Sequence, residues 1–212
     1  MEEQQKISKK IETLLVVGGL TAFTLYVIYR LRVVWYAKKW EKVTEVGSDQ
    51  GFVNQTFQKM MADVGWVSGH QWCAYFVKAV WLKVYGDNPV IRSILQSNVY
   101  PTWRNAKADT TGTVKVLDQP GDKPKPGDIV IWWAPNGGGH TGIVVSATSK
   151  KYGKDGFTTI EGNTNEQGVQ SGQGVYVMDR KYTWDNPAWT LKGFIRKTII
   201  PQNVTNFLES LK

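Results

Sequence analysis

Residues 69–81 read GHQWCAYFVKAVW, and the spacing of their apolar side chains decides how this part of the chain folds. Phe76, Val77, Val80 and Trp81, continued by Val84, recur at the three- and four-residue intervals that place side chains on one helical face. A helix is expected over residues 72–84, with Cys73, the only cysteine of the chain, in its first turn. Unpaired backbone N–H groups and the positive end of the macrodipole favour a thiolate there, the form that attacks carbonyls. The bland reading competes: a free cysteine is among the most buried residue types and often only packs.

On either side the pattern changes in one direction. Upstream, FVNQTFQKMMADV places Phe52, Phe57, Met60, Met61 and Val64 on a helical face. Downstream, Asn88 is placed to cap a short helix with Pro89 at its first position, and YPTWRNAK reads as another brief one. From residue 113 the segments TVKVL, DIVIWWA, HTGIVVSAT, GFTTIEG, GVYVMDR and WTLKGFIRK are short, β-branched and aromatic, and turn residues separate them. Helices first and antiparallel strands after is the pattern of an α+β domain.

The 212 residues suffice for one sizeable core, or for one domain plus an appendage, and ten tryptophans argue for a packed domain with an aromatic-lined surface or groove rather than for disorder. A net charge of +8 favours polyanionic partners: nucleic acid, anionic lipid headgroups or anionic wall polymers. One cysteine excludes an intrachain disulfide, and with only two histidines the chain lacks the ligands of a Cys-rich zinc site.

Residues 13–29, TLLVVGGLTAFTLYVIY, carry no formal charge, and residues 8–40 are read as one helix with a membrane-spanning centre at about 11–36. Arg30 and Arg32 are expected to snorkel, and Trp35, Tyr36 and Trp40 to lie at the interface. No small-x-small cleavage pattern follows, which argues against a removed signal peptide. Lys6, Lys9 and Lys10 precede the span, while Arg30, Arg32, Lys38, Lys39 and Lys42 follow it, so orientation stays open. The expected organisation is an anchor and link over 1–45, a catalytic domain over 46–200 and a tail over 201–212.

A nucleophilic Cys73 needs a base, and only His70 and His140 are available. His70 precedes the helix and is read as structural or substrate-facing. His140 follows APNGGG and opens the apolar strand TGIVVSA, which would hold its ring in place. In FTTIEGNTN, Glu161 and Asn163 alternate onto one face, where either could orient that ring. EGNTN alone reads equally as a turn. Oxyanion donors are sought in the Cys73 N–H and the Gln71 side chain, or another polar group of SGHQ. Of Trp132 and Trp133, one should face the core and the other line the groove.

Taken in order, WCAYFV, KPGDIVIWW, GGGHTGIVVS and IEGNTNEQG with GVYVMDR resemble the CHAP family of papain-like cysteine amidohydrolases and peptidases, over roughly residues 50–197. The resemblance implies cleavage of peptidoglycan amide bonds, with Cys73 attacking, His140 as base and then acid, and Glu161 with Asn163 orienting the imidazole. Gln71, Trp72 and Trp133 are the expected substrate-binding or oxyanion residues. Many members carry Gln directly before the cysteine, whereas here Trp72 intervenes. The chemistry implied needs no metal and no cofactor; some members bind calcium, but no EF-hand-like loop is present. The partners expected are peptidoglycan and, through the N-terminal helix, a lipid membrane, with no nucleic acid. The protein is thus read as a single-pass membrane enzyme, an endopeptidase or N-acetylmuramoyl-L-alanine amidase of a phage particle or bacterial envelope. The competing reading is a catalytically silent structural or wall-binding protein.

Overall fold

The computed structural model describes residue 24 and residues 26–134, 138–168, 172–186 and 189–198. A first helix, α1, covers residues 26–38. Four more precede the sheet: α2 (Gln55–Ala62), α3 (Cys73–Tyr85), α4 (Pro89–Ile94) and α5 (Val99–Lys107). Strands β1 (Val114–Leu117), β2 (Ile129–Trp133), β3 (Gly139–Ser146), β4 (Gly156–Thr164), β5 (Gly174–Lys181) and β6 (Thr190–Lys197) follow. They form one antiparallel sheet in the order β1-β6-β2-β3-β4-β5, so the last strand inserts between the first two. The expected α+β arrangement is observed.

Local chemistry sets the helix starts. Asn54, Asn88 and Asn98 each turn a side-chain oxygen onto the first free N–H groups of α2, α4 and α5, and Pro89 opens α4 as expected. The Asn54 cap starts α2 after Phe52, which instead bridges to Glu45 outside the helix. Helix α3 is apolar nearly all round, as a helix enclosed by the fold must be. It lies against β3 and β4, facing Ile143 and Ile160. The alternation of β2 splits the core: Ile129 and Ile131 face the helices, while Val130 and Trp132 join Val144, Phe157 and Phe194 in a second cluster.

The N-terminal region departs from expectation. Arg30 does not snorkel: it is buried, and its Nη2 lies 2.7 Å from Oδ1 of Asp128, which is wholly buried and also paired with Arg196 at 2.8 Å. Trp40 sits in the core edge-on to Phe57 and so is not an interfacial residue, and the half-buried Tyr36 turns its hydroxyl to the Met60 sulfur. Val33 and Ala37 complete the buried face of α1. Lys42 and Val43 then exchange backbone hydrogen bonds with Val175, extending the sheet beyond β5. Residues 26–45, grouped above with the anchor, therefore pack onto the domain. The opposite face of α1 carries Val27, Ile28, Leu31 and Trp35, the last 69% exposed. Among the described residues no helix is long and apolar enough to cross a membrane. Most of the expected span, and the 201–212 tail, lie outside the described residues.

Candidate active site

The start of α3 is fixed from beneath. Trp72 is its N-cap residue and is fully buried among Phe52, Phe57 and Phe76, with its indole N–H donated to Oε2 of Glu45 at 2.6 Å. Gly162 makes this possible, because a Cβ there would stand 2.6 Å from the Trp72 ring. Trp72 is therefore a core residue and not the substrate contact expected; a ring so enclosed has no surface left for a ligand. Its backbone N–H donates to Oδ1 of Asn163 at 3.2 Å. Cys73 follows in the first turn, where a backbone N–H has no intrahelical acceptor.

Strand β3 brings His140 to Cys73. The imidazole is buried, its Nε2 lies 2.8 Å from Oε2 of Glu161, and the ring also hydrogen-bonds to the Cys73 side chain, for which Nδ1 remains. The Trp132 ring stacks on the imidazole, centroids 5.9 Å apart and planes 22° apart. Glu161 reaches across because Gly142 has no side chain: a Cβ there would stand 2.6 Å from the Glu161 Cγ. Arg180 on β5 grips the far side of the carboxylate, with Nε 2.8 Å from Oε1 and Nη2 on Oε2, and the Thr159 hydroxyl donates to Oε1 as well. Nη1 of Arg180 donates to the Gly168 carbonyl at 3.0 Å, and its guanidinium lies 5.5 Å from the Trp132 ring centroid.

These contacts set the charges. Burial alone would push His140 down, but the hydrogen bonds to Cys73 and Glu161 and the carboxylate charge outweigh it and raise its pKa to about 9. Burial would likewise raise Glu161, yet the Arg180 charge and hydrogen bonds, with those of His140, hold it well below the usual carboxylate range. An ionised carboxylate against Nε2 keeps the proton on that nitrogen and leaves Nδ1 to exchange one with sulfur.

Asn163 does not join this chain. It has a left-handed backbone, φ 58°, where the register of β4 against β5 shifts, and the break turns it away from the face that carries Glu161. Its Nδ2 donates to Gly172 O at 3.0 Å and lies 3.3 Å from Asp49 Oδ1, so it ties the α3 start to the loops around it instead of orienting the imidazole. His70 stands beside the site with Nδ1 3.2 Å from the Tyr75 hydroxyl. Gln71 is exposed at the rim with Cys73 in a cavity of about 390 Å³. A second cavity of about 350 Å³, lined by Trp133, Tyr100 and Lys192, shares Asn98, Gly138 and Gly139 with it. The two form one groove passing the sulfur. Trp132 faces the core and Trp133 the groove, as their alternation requires.

The family model of the CHAP domain matches residues 64–163. That stretch is a CHAP domain. No curated protein sequence matches the chain. CHAP domains are typically cysteine- and histidine-dependent amidohydrolases or peptidases, and the matched stretch of this one holds Cys73, His140 and Glu161. Arg180 lies beyond the match and was not singled out from the sequence. Its strand was recognisable, but it stands opposite Phe157, and only the pairing of β5 with β4 brings its long side chain to Glu161. Among the described residues, no group of His, Cys, Asp and Glu is arranged to hold a metal ion.

Proposed function

We propose that this CHAP-domain protein hydrolyses amide bonds of peptidoglycan through a Cys73 thioester, as an endopeptidase or N-acetylmuramoyl-L-alanine amidase. The observation that carries the reading is the unbroken chain from Cys73 through His140 and Glu161 to Arg180 at the floor of an open groove. His140, protonated at neutral pH, already holds on Nδ1 the proton that Cys73 gives up, and the sulfur attacks the carbonyl carbon. The resulting oxyanion accepts from the Cys73 N–H, with the Gln71 side chain as the expected second donor. Protonated His140 gives its proton to the leaving nitrogen, the C–N bond breaks, and a thioester remains. His140 then takes a proton from water, hydroxide adds to the thioester, and the acid departs as the thiol is restored.

The N-terminal segment is proposed to hold the enzyme at a phage or bacterial membrane beside the wall. Support comes from the uncharged stretch 13–29 and the exposed Val27–Leu31–Trp35 stripe of α1, flanked by Arg32, Lys38 and Lys39. Incubating the full chain in neutral detergent with purified peptidoglycan, beside its Cys73→Ala counterpart, tests the activity. New amino groups from the parent alone are expected; equal release by both variants, or none from folded parent, refutes the reading. Alkaline extraction of vesicles carrying the chain tests the anchor: release into the soluble fraction counts against it.

A further inference from the structure

Beyond Cys73, the groove carries a single formal charge among its described lining residues. That charge is Lys192 on β6, half-buried, with its Nζ 4.9 Å from the centroid of the Trp133 ring, against which Tyr100 also packs at 5.2 Å. Elsewhere on the surface, Lys59, Arg92 and Lys107 pair with Asp63, Asp87 and Asp118. Lys192 has no acidic partner among the described residues, although it stands in a concave, aromatic-walled place where an ammonium is partly desolvated. One neighbouring amide is biased the same way. Asn98 spends its Oδ1 on the Tyr100 N–H, which leaves its Nδ2 as a donor without an acceptor among the described residues. The Thr190 hydroxyl is already donated to Asn186 O. Among its described residues this end of the groove therefore offers an amide donor and one positive charge, and no carboxylate that would repel an anion.

We infer that Lys192, with Asn98 and the Tyr100–Trp133 wall, forms a subsite for a free carboxylate of the wall peptide. The inference rests on the hydrolase reading above and adds a substrate preference: stem peptides with free carboxylates are taken over those whose carboxylates are amidated. Asn98, Gly138 and Gly139 line both cavities, so a peptide filling this subsite runs directly on to the sulfur. Recognition by one partly exposed ammonium gives a discrimination of roughly five-fold, shrinking as salt screens it.

The test compares two matched disaccharide-peptide wall fragments, one with its carboxylates free and one with them converted to carboxamides, on the full chain in neutral detergent. The parent is expected to show a kcat/KM ratio of roughly five in favour of the free acid at low salt, falling toward one at high salt. Lys192→Gln should bring the ratio near one at low salt, and Lys192→Glu should invert it. Cleavage of both fragments by the parent at equal efficiency, or a preference that survives Lys192→Gln, overturns the inference while leaving the hydrolase reading intact. Cleavage of neither fragment by folded parent overturns both.

Discussion

Replacing Arg180 by Gln probes the electrostatic frame of the site. Arg180 supplies two hydrogen bonds and a positive charge to a Glu161 carboxylate that is wholly buried. Gln is too short to reach both oxygens and carries no charge, which leaves Glu161 ionised against His140 and Thr159 alone, or protonated. Breaking a buried pair by removing one partner costs about 3–5 kcal/mol, and the partial exposure of the Arg180 side chain places the expected loss near the lower figure, ~3 kcal/mol. For a domain of this size that lowers the melting temperature by roughly 6–12 °C. The second effect is on the imidazole. If Glu161 takes a proton it ceases to hold Nε2–H, the ring is free to turn, and turnover should fall by at least ~100-fold, as when a base loses its orienting partner. Arg180→Lys, which keeps the charge but not the fork, should recover part of the melting temperature and part of the rate. Thermal melts by circular dichroism and the pH profile of Cys73 alkylation by iodoacetamide read the two effects separately. A melting temperature within about 2 °C of the parent, with an unchanged alkylation profile, would refute the view that Arg180 holds this carboxylate.

Other perturbations have equally definite outcomes. Because His140 is raised from 6.5 to about 9 in the folded protein, its protonated form stabilises the fold fully below pH 6.5, and that contribution is lost as pH rises through about 9. The melting temperature should therefore decline over that window and kcat should fall as pH passes about 9, and a kcat still rising beyond pH 9.5 would contradict the assignment of His140 as the acid. Gly142→Ala drives a Cβ into the Glu161 side chain, and a loss of about ten-fold or more in kcat is expected while the fold is kept; parental kinetics would show that the carboxylate has other room. Asp128→Asn leaves Arg30 and Arg196 buried without their counter-charge, at a cost of about 3–5 kcal/mol. Chemical denaturation should show it, and a loss under about 1 kcal/mol would mean that α1 is held by Val33, Ala37 and Trp40 alone.

How much of this was legible in the sequence depended on whether the cause was local. The apolar spacing after Cys73, the Asn88–Pro89 cap and the alternating strands are properties of neighbouring residues, and they appear in the fold where the pattern put them. Cys73, His140 and Glu161 were named from the sequence and do meet. Asn163 was assigned to the same face as Glu161 by simple alternation, which fails because the chain enters a left-handed conformation there and the strand register shifts. Trp72 beside the nucleophile suggested a substrate contact, but the helix start turns it into the core. Arg30 and Asp128 are 98 residues apart, and no local pattern tells a snorkelling arginine from one seated on a buried aspartate. Arg180 was invisible for the same reason, since its role follows from which strand pairs with which.

The most direct measurement of the central claim is mass spectrometry of the full chain, mixed with purified wall fragments and quenched in acid within a single turnover. The account predicts that the peptide containing Cys73 gains the mass of the acyl half of the substrate, that the adduct is released by hydroxylamine, and that Cys73→Ala neither forms it nor liberates amine. Amine released at the parental rate by Cys73→Ala, with no adduct on the parent, would contradict it.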